Sequence, residues 1–88
     1  MKHKLKGTIV NREVFLDGEY LSPKHSQKVW NHSPDGFSWG YGGSGPAQLA
    51  LAVCLKLLPK DEAMKRYQDF KRSVIAGLPP DFEIEFEM

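Results

Sequence analysis

The sequence predicts an α+β domain, with an antiparallel sheet of about four or five strands and two consecutive α-helices packed on one face. Three observations carry that expectation. The chain opens with short alternating segments divided by turn residues, as in a β-meander. Two helical patterns then follow one another between Pro46 and Leu78, with no strand between them. The end alternates again, with Phe82, Ile84 and Phe86 on one side and Asp81, Glu83, Glu85 and Glu87 on the other.

Composition narrows the possibilities further. Eighty-eight residues, 41% hydrophobic and 26% charged, suffice for one core, so residues 1–88 read as a single domain. A net charge of +1 gives no long-range field to gather nucleic acid or an anionic membrane, and neither is expected as a partner. The lone Cys54 excludes an internal disulfide, lies in an apolar helix as a small buried hydrophobe, and points to the cytoplasm. After Lys2, Lys4 and Lys6, the residues Gly7, Thr8, Asn11, Arg12 and Glu13 interrupt any apolar run, so no signal peptide is expected. The apolar stretch from Pro46 to Leu58 falls far short of the roughly twenty residues of a membrane span.

The elements follow in order. Val14-Phe15-Leu16, Asp17-Gly18 and Glu19-Tyr20-Leu21 form a hairpin signal, because Asp-Gly accepts the positive φ angles of a type I′ turn. That two-residue loop sets Phe15 opposite Tyr20 and Val14 opposite Leu21. A similar turn at Asn11-Arg12 would pair Ile9 with Val14 and Thr8 with Phe15, giving a core row of Ile9, Val14 and Leu21. Thr8, Phe15 and Tyr20 would then lie on the outer face, as cover for the sheet or as part of a binding surface. Between Ser22 and Asp35 the pattern weakens around Lys28-Val29-Trp30, which reads as a short strand. His25 and His32 lie here without cysteines or carboxylates at ligand spacing, so no metal site is expected.

From Gly36 to Tyr41 the residues alternate once more. Phe37, Trp39 and Tyr41 fall on one face of an expected strand, and Gly36, Ser38 and Gly40 on the other. Gly40, Gly42 and Gly45 fit G-x-G-x-x-G before a helix, the spacing of a dinucleotide fingerprint. A Rossmann unit requires a parallel strand soon after that helix, and here Pro59 and a second helix follow, so no nucleotide cofactor is implied. What survives is a glycine turn at a helix N-terminus, whose N–H groups suit an anion or simply permit tight packing. Gly42-Gly43-Ser44-Gly45-Pro46 fails the nucleophile-elbow pattern at its last position. Ser44 therefore reads as a cap, or Gly45 caps with Pro46 in the first helical position.

The helix from Pro46 to Leu58 is apolar around most of its circumference and should be buried. Gln48, in its first turn, either reads a ligand or satisfies a loop carbonyl. Pro59 ends this helix. Asp61 and Glu62 open the next, with Ala63, Tyr67, Phe70 and Val74 on its buried face and Gly77, Pro79 and Pro80 stopping it. The basic residues Lys65, Arg66, Lys71 and Arg72 are interleaved with acids, as on a solvated helix surface. In the last strand the glutamates match Lys2, Lys4 and Lys6 of the first, so the two are expected to be neighbours, with Lys4 near Glu85.

The run Gly36-Phe37-Ser38-Trp39-Gly40-Tyr41-Gly42-Gly43-Ser44-Gly45-Pro46-Ala47-Gln48-Leu49-Ala50-Leu51-Ala52 resembles the signature of a family of small bacterial and phage proteins known as a domain of unknown function. Asn31-His32-Ser33-Pro34-Asp35 and Tyr67-Gln68-Asp69-Phe70-Lys71 are similar to that family as well. The resemblance covers most of the chain after Val29. It implies one compact domain and a bacterial or phage source, and it brings no catalytic residues.

Two functional readings emerge. The first is non-enzymatic binding of a small anionic or nucleotide-like ligand, sequestering a signal in a bacterial or phage setting. Trp39 or Tyr41 would stack on it, the N–H groups of Gly42, Gly43, Ser44 and Gly45 would hold its charge, with Gly40 part of the same ligand-binding segment, and His32, Asp35 or Gln48 would meet its polar edges. The second is a protein-binding inhibitor or adaptor acting through an aromatic surface or a sheet edge, with a homodimer as its mildest form. An enzyme ranks last. Local spacing assembles no paired carboxylates, metal cluster or nucleophile with its base.

Overall fold

The computed structural model describes residues 1–88. Strand β1 (Lys2–Gly7), β2 (Val14–Leu16) and β3 (Glu19–Tyr20) form the meander. Three helices follow, α1 (Lys24–Val29), α2 (Ser44–Leu57) and α3 (Lys60–Ser73), then a short 3₁₀ turn (Ile75–Gly77) and β4 (Phe82–Glu87). The sheet is antiparallel throughout, in the order β3-β2-β1-β4. This is the α+β architecture the pattern predicts, with four strands and with α1 as an additional helix.

The first and last strands of the chain meet as the charge pattern requires. Lys2, Lys4 and Lys6 face Glu87, Glu85 and Glu83 in register, and the Lys4 ammonium lies 3.6 Å from Glu83. The hairpin also holds: Phe15 is opposite Tyr20, Leu21 N donates to Val14 O, and Asp17 and Gly18 both take positive φ. One core joins Leu5, Val14, Leu16, Phe82 and Phe86 of the sheet to Leu49, Leu51 and Val53 of α2 and to Tyr67 and Phe70 of α3. α2 is buried continuously from Gly45 to Cys54, as a helix apolar all round must be. Burial pushes the Cys54 thiol up to about 11, so it stays a neutral packing group.

Four local expectations need correction. The turn after β1 is wider than two residues, because the Asn11 carboxamide oxygen accepts from the Thr8 hydroxyl and from Glu13 N. The register consequently moves by two, pairing Val14 with Gly7 in place of Ile9, and Phe15 with Lys6 in place of Thr8. An even shift keeps each residue on its face, so the core side is preserved. Gly7 is also the small neighbour that the Phe82 ring needs, since a Cβ there would meet Phe82 Cε2 at 2.6 Å.

Lys28-Val29-Trp30 is the end of α1 and not a strand. Ser26 faces inward from this helix, with its hydroxyl donating to Pro23 O. The segment Gly36–Tyr41 is also not a strand. It belongs to no ladder, and Gly36 and Gly40 sit at φ 105° and 86°, which breaks the extended run at both ends. Phe37 and Trp39 still turn into the core, while the bend at Gly40 sends Tyr41 out to solvent. Finally, Gly43 caps α2 with no side-chain hydrogen bond, so neither Ser44 nor Gly45 is the cap. Pro46 is then the third helical residue, still within the turn whose N–H groups have no partner in the helix.

Candidate functional site

The glycine segment is best followed from the residues that hold it. Trp39 lies 4% exposed, its indole N–H shared between Pro79 O and Pro80 O at 3.0 Å each, with its ring edge-on to Phe82 at 5.1 Å. Gly40 N donates to Ile75 O, and a side chain at Gly40 would meet Leu78 O at 2.9 Å. Gly45 brings α2 against Ser38, where an added Cβ would lie 2.6 Å from the Ser38 Cβ. The segment between Gly36 and Gly45 is thereby fastened to the 3₁₀ turn and the chain after it on one side and to α2 on the other.

Gln48 does the commoner of its two expected jobs. Fully buried, it accepts from Ser33 N at 2.9 Å and donates to the Ser26 hydroxyl at 2.9 Å and to Trp30 O at 3.1 Å. Both amide hydrogens and the carbonyl are in use, and the end of α1 and the chain after it, from Ser26 to Ser33, are tied to α2 through this one side chain. His32 is drawn away as well. Its Nε2 shares a 2.9 Å hydrogen bond with the Tyr67 hydroxyl, and its ring stacks on Trp30 at 5.2 Å and 7°. Burial, and then the nearby Lys71 charge, hold the His32 pKa below the usual imidazole value. This Trp30–His32–Tyr67 cluster escapes sequence reading, since Tyr67 lies 35 residues beyond His32 and no local spacing links them.

Asp35, Tyr41, Gly42 and Ser44 are exposed, and Gly43 is half-buried. The N–H groups of Gly42, Gly43, Ser44 and Gly45 donate to no protein acceptor. Tyr41 lies against this loop, its ring about where a Gly43 side chain would project. No cavity opens here. The one cavity, of about 160 Å³, lies between the β2–β3 hairpin and the C-terminal end of α2, lined by Leu16, Asp17, Tyr20, Leu21, Lys56 and Leu57. Ligand pockets for drug-sized molecules begin at roughly 300 Å³, so this one is small for a nucleotide.

The other candidate region is the outer border of the sheet. β3 is two residues long, whereas β4 runs for six with no strand on its far side. Met88 N donates to Met1 O at 3.1 Å, and the Met1 ammonium donates to Met88 O at 3.3 Å, so these residues form a bonded pair. Antiparallel alternation then directs the main-chain groups of Phe86, Ile84 and Phe82 toward β1 and those of Glu87, Glu85 and Glu83 away from it. The three glutamate side chains are exposed on the uncovered face of the sheet, beside Lys2, Lys4 and Lys6. Farther across that face, Phe15 and Tyr20 meet edge to face at 5.8 Å and remain partly open to solvent.

No helix is long and apolar enough to cross a membrane. Comparison with known proteins finds no curated protein and no solved structure that matches. A family model does match, over residues 3–87, which takes in both the glycine segment and the β4 border, and the chain therefore belongs to the Family of unknown function (DUF6166).

Proposed function

We propose that this protein is a non-enzymatic binding module, an adaptor or inhibitor, that takes an extended segment of a partner protein as an additional strand along β4. One observation carries the reading: β4 is a full-length border strand whose outward N–H and C=O groups have no protein partner. Such a row recognises another main chain directly, and the side chains beside it select which one. The setting we infer is the cytoplasm of a bacterium or of a phage-infected cell, from the resemblance of residues 36–52 and the single reduced Cys54. Replacing Glu85 by proline tests the reading. An outward N–H is lost without touching the β1 ladder, a substitution that border strands tolerate. A partner held by the wild-type protein should be released by Glu85→Pro while the circular dichroism of the domain stays unchanged. Equal retention by a folded Glu85→Pro protein would overturn the reading.

The unpaired N–H groups from Gly42 to Gly45 favour a second reading, a small anion held at the start of α2. Gly42 has open space around its Cβ position and no positive φ, so Gly42→Asp should fold and repel an anion. A rise in melting temperature with phosphate or a nucleotide, absent in Gly42→Asp, would favour this reading. No rise with either protein would remove it.

A further inference from the structure

We infer that the strand β4 accepts is basic and apolar by turns, with lysine or arginine opposite Glu83, Glu85 and Glu87, and that it comes from a different protein and not from a second copy of this chain. The inference rests on the border-strand reading above and specifies its partner.

The chemistry follows from the two sides of β4. Glu83, Glu85 and Glu87 recur at every second residue, about 7 Å apart along the strand. Their cationic neighbours all lie on the β1 side: Lys4 reaches Glu83 at 3.6 Å, and the terminal ammonium reaches Glu87 at 3.3 Å. Glu85 has no ion-pair partner. On the far side the column of charge faces solvent. An incoming antiparallel strand bonds through the outward groups of these same residues, so its directly opposite side chains stand beside the three carboxylates. Opposite charges there are favourable, and like charges are not.

The intervening positions of the incoming strand turn to the helix-bearing face. There they meet Phe82, Ile84, Phe86 and Met88, of which Ile84 and Met88 are only half-buried. Apolar residues at those positions complete the cover of the two half-buried side chains. The resulting pattern is the one β1 already presents at the other side of β4, where lysines alternate with His3, Leu5 and Gly7.

A second copy offers no such strand. Its own β4 would bring glutamates against glutamates, its β3 is two residues long, and its β1 is enclosed between β2 and β4. The acidic border thus guards against self-pairing and admits a basic partner.

The test uses the full chain with synthetic peptides alternating valine with lysine, serine or glutamate, plus a lysine–valine peptide N-methylated at its lysine residues, whose N–H groups would face β4. Hydrogen exchange at the Glu83, Glu85 and Glu87 amides is the readout, because these N–H groups are free in the unbound protein. The lysine peptide should slow their exchange about tenfold or more, and the serine, glutamate and methylated peptides should not. Glu85→Lys should weaken the lysine peptide by about tenfold, Glu85→Gln by less, and added salt should weaken it further. Equal protection by the serine or glutamate peptide would overturn the basic-partner inference and leave the border reading standing. Protection by none of the peptides would overturn both. Concentration-dependent dimers with protected β4 amides and no peptide would overturn the exclusion of a second copy.

Discussion

Trp39 and Gln48 belong to the stretch richest in aromatic and glycine residues, and each of their side-chain polar atoms already has a protein partner. β4 is a plain alternating strand, and three of its residues turn their main-chain groups to solvent. The Trp39 and Gln48 side chains are thus consumed by the fold in the first region, while ordinary residues are left unsatisfied in the second. No buried side-chain nitrogen or oxygen anywhere in the molecule lacks a hydrogen-bond partner. Unused capacity for recognition has to be sought on the surface, in the main chain as much as in side chains.

The largest expected effect breaks the first half of that comparison. Trp39→Ala should cost about 3 to 5 kcal/mol of stability in urea unfolding, as for a large buried aromatic. A loss below about 1 kcal/mol would show that the ring is not part of the core. Gln48→Met keeps the approximate shape but strips partners from Ser33 N, the Ser26 hydroxyl and Trp30 O, which should cost about 2 to 4 kcal/mol by the same measurement. A neutral outcome would mean that water replaces the amide.

A smaller effect concerns His32. Its folded-state pKa lies below the unfolded value of 6.5, so the unfolded chain takes up the proton more readily. The stability it contributes is present above pH 6.5 and is lost as pH falls through the folded value. His32→Phe should flatten the decline in melting temperature between neutral and mildly acidic pH. An unchanged decline would assign it to other groups. The smallest effect belongs to β4: Glu85→Pro should change stability by less than about 1 kcal/mol, because the N–H removed there supports nothing inside the domain. A loss comparable with that of Trp39→Ala would show that the outward direction assigned to Glu85 is wrong.

How much of this was legible varies with the physics involved. The lysine and glutamate columns revealed that the first and last strands meet, because complementary charge at matching period leaves few other arrangements. The continuous apolar surface of α2 likewise announced its burial. Alternation in Phe37, Trp39 and Tyr41 indicated correctly that the first two share a side, but alternation carries no information about hydrogen-bond partners. The positive φ at Gly36 and Gly40, which removes this segment from the sheet, is permitted by glycine and not required by it. The contacts of Gln48 were foreshadowed only as a class, since its partners come from Ser26, Trp30 and Ser33 across a loop that had no clear pattern. The border status of β4 follows from topology, which becomes readable only once β1 is known to lie inside the sheet.

The seam between β1 and β4 also governs the order in which the molecule comes together. It joins segments separated by nearly the whole chain, so the loop it closes is the longest the domain contains. The meander and the α2–α3 pair involve closer neighbours and form with less entropy lost. Residues 82–87 follow every other element of the fold, and until they are in place β1 lies with one side bare and the core lacks Phe82 and Phe86. Folding of this domain is consequently completed at the pace of a distant pairing and not of its helices.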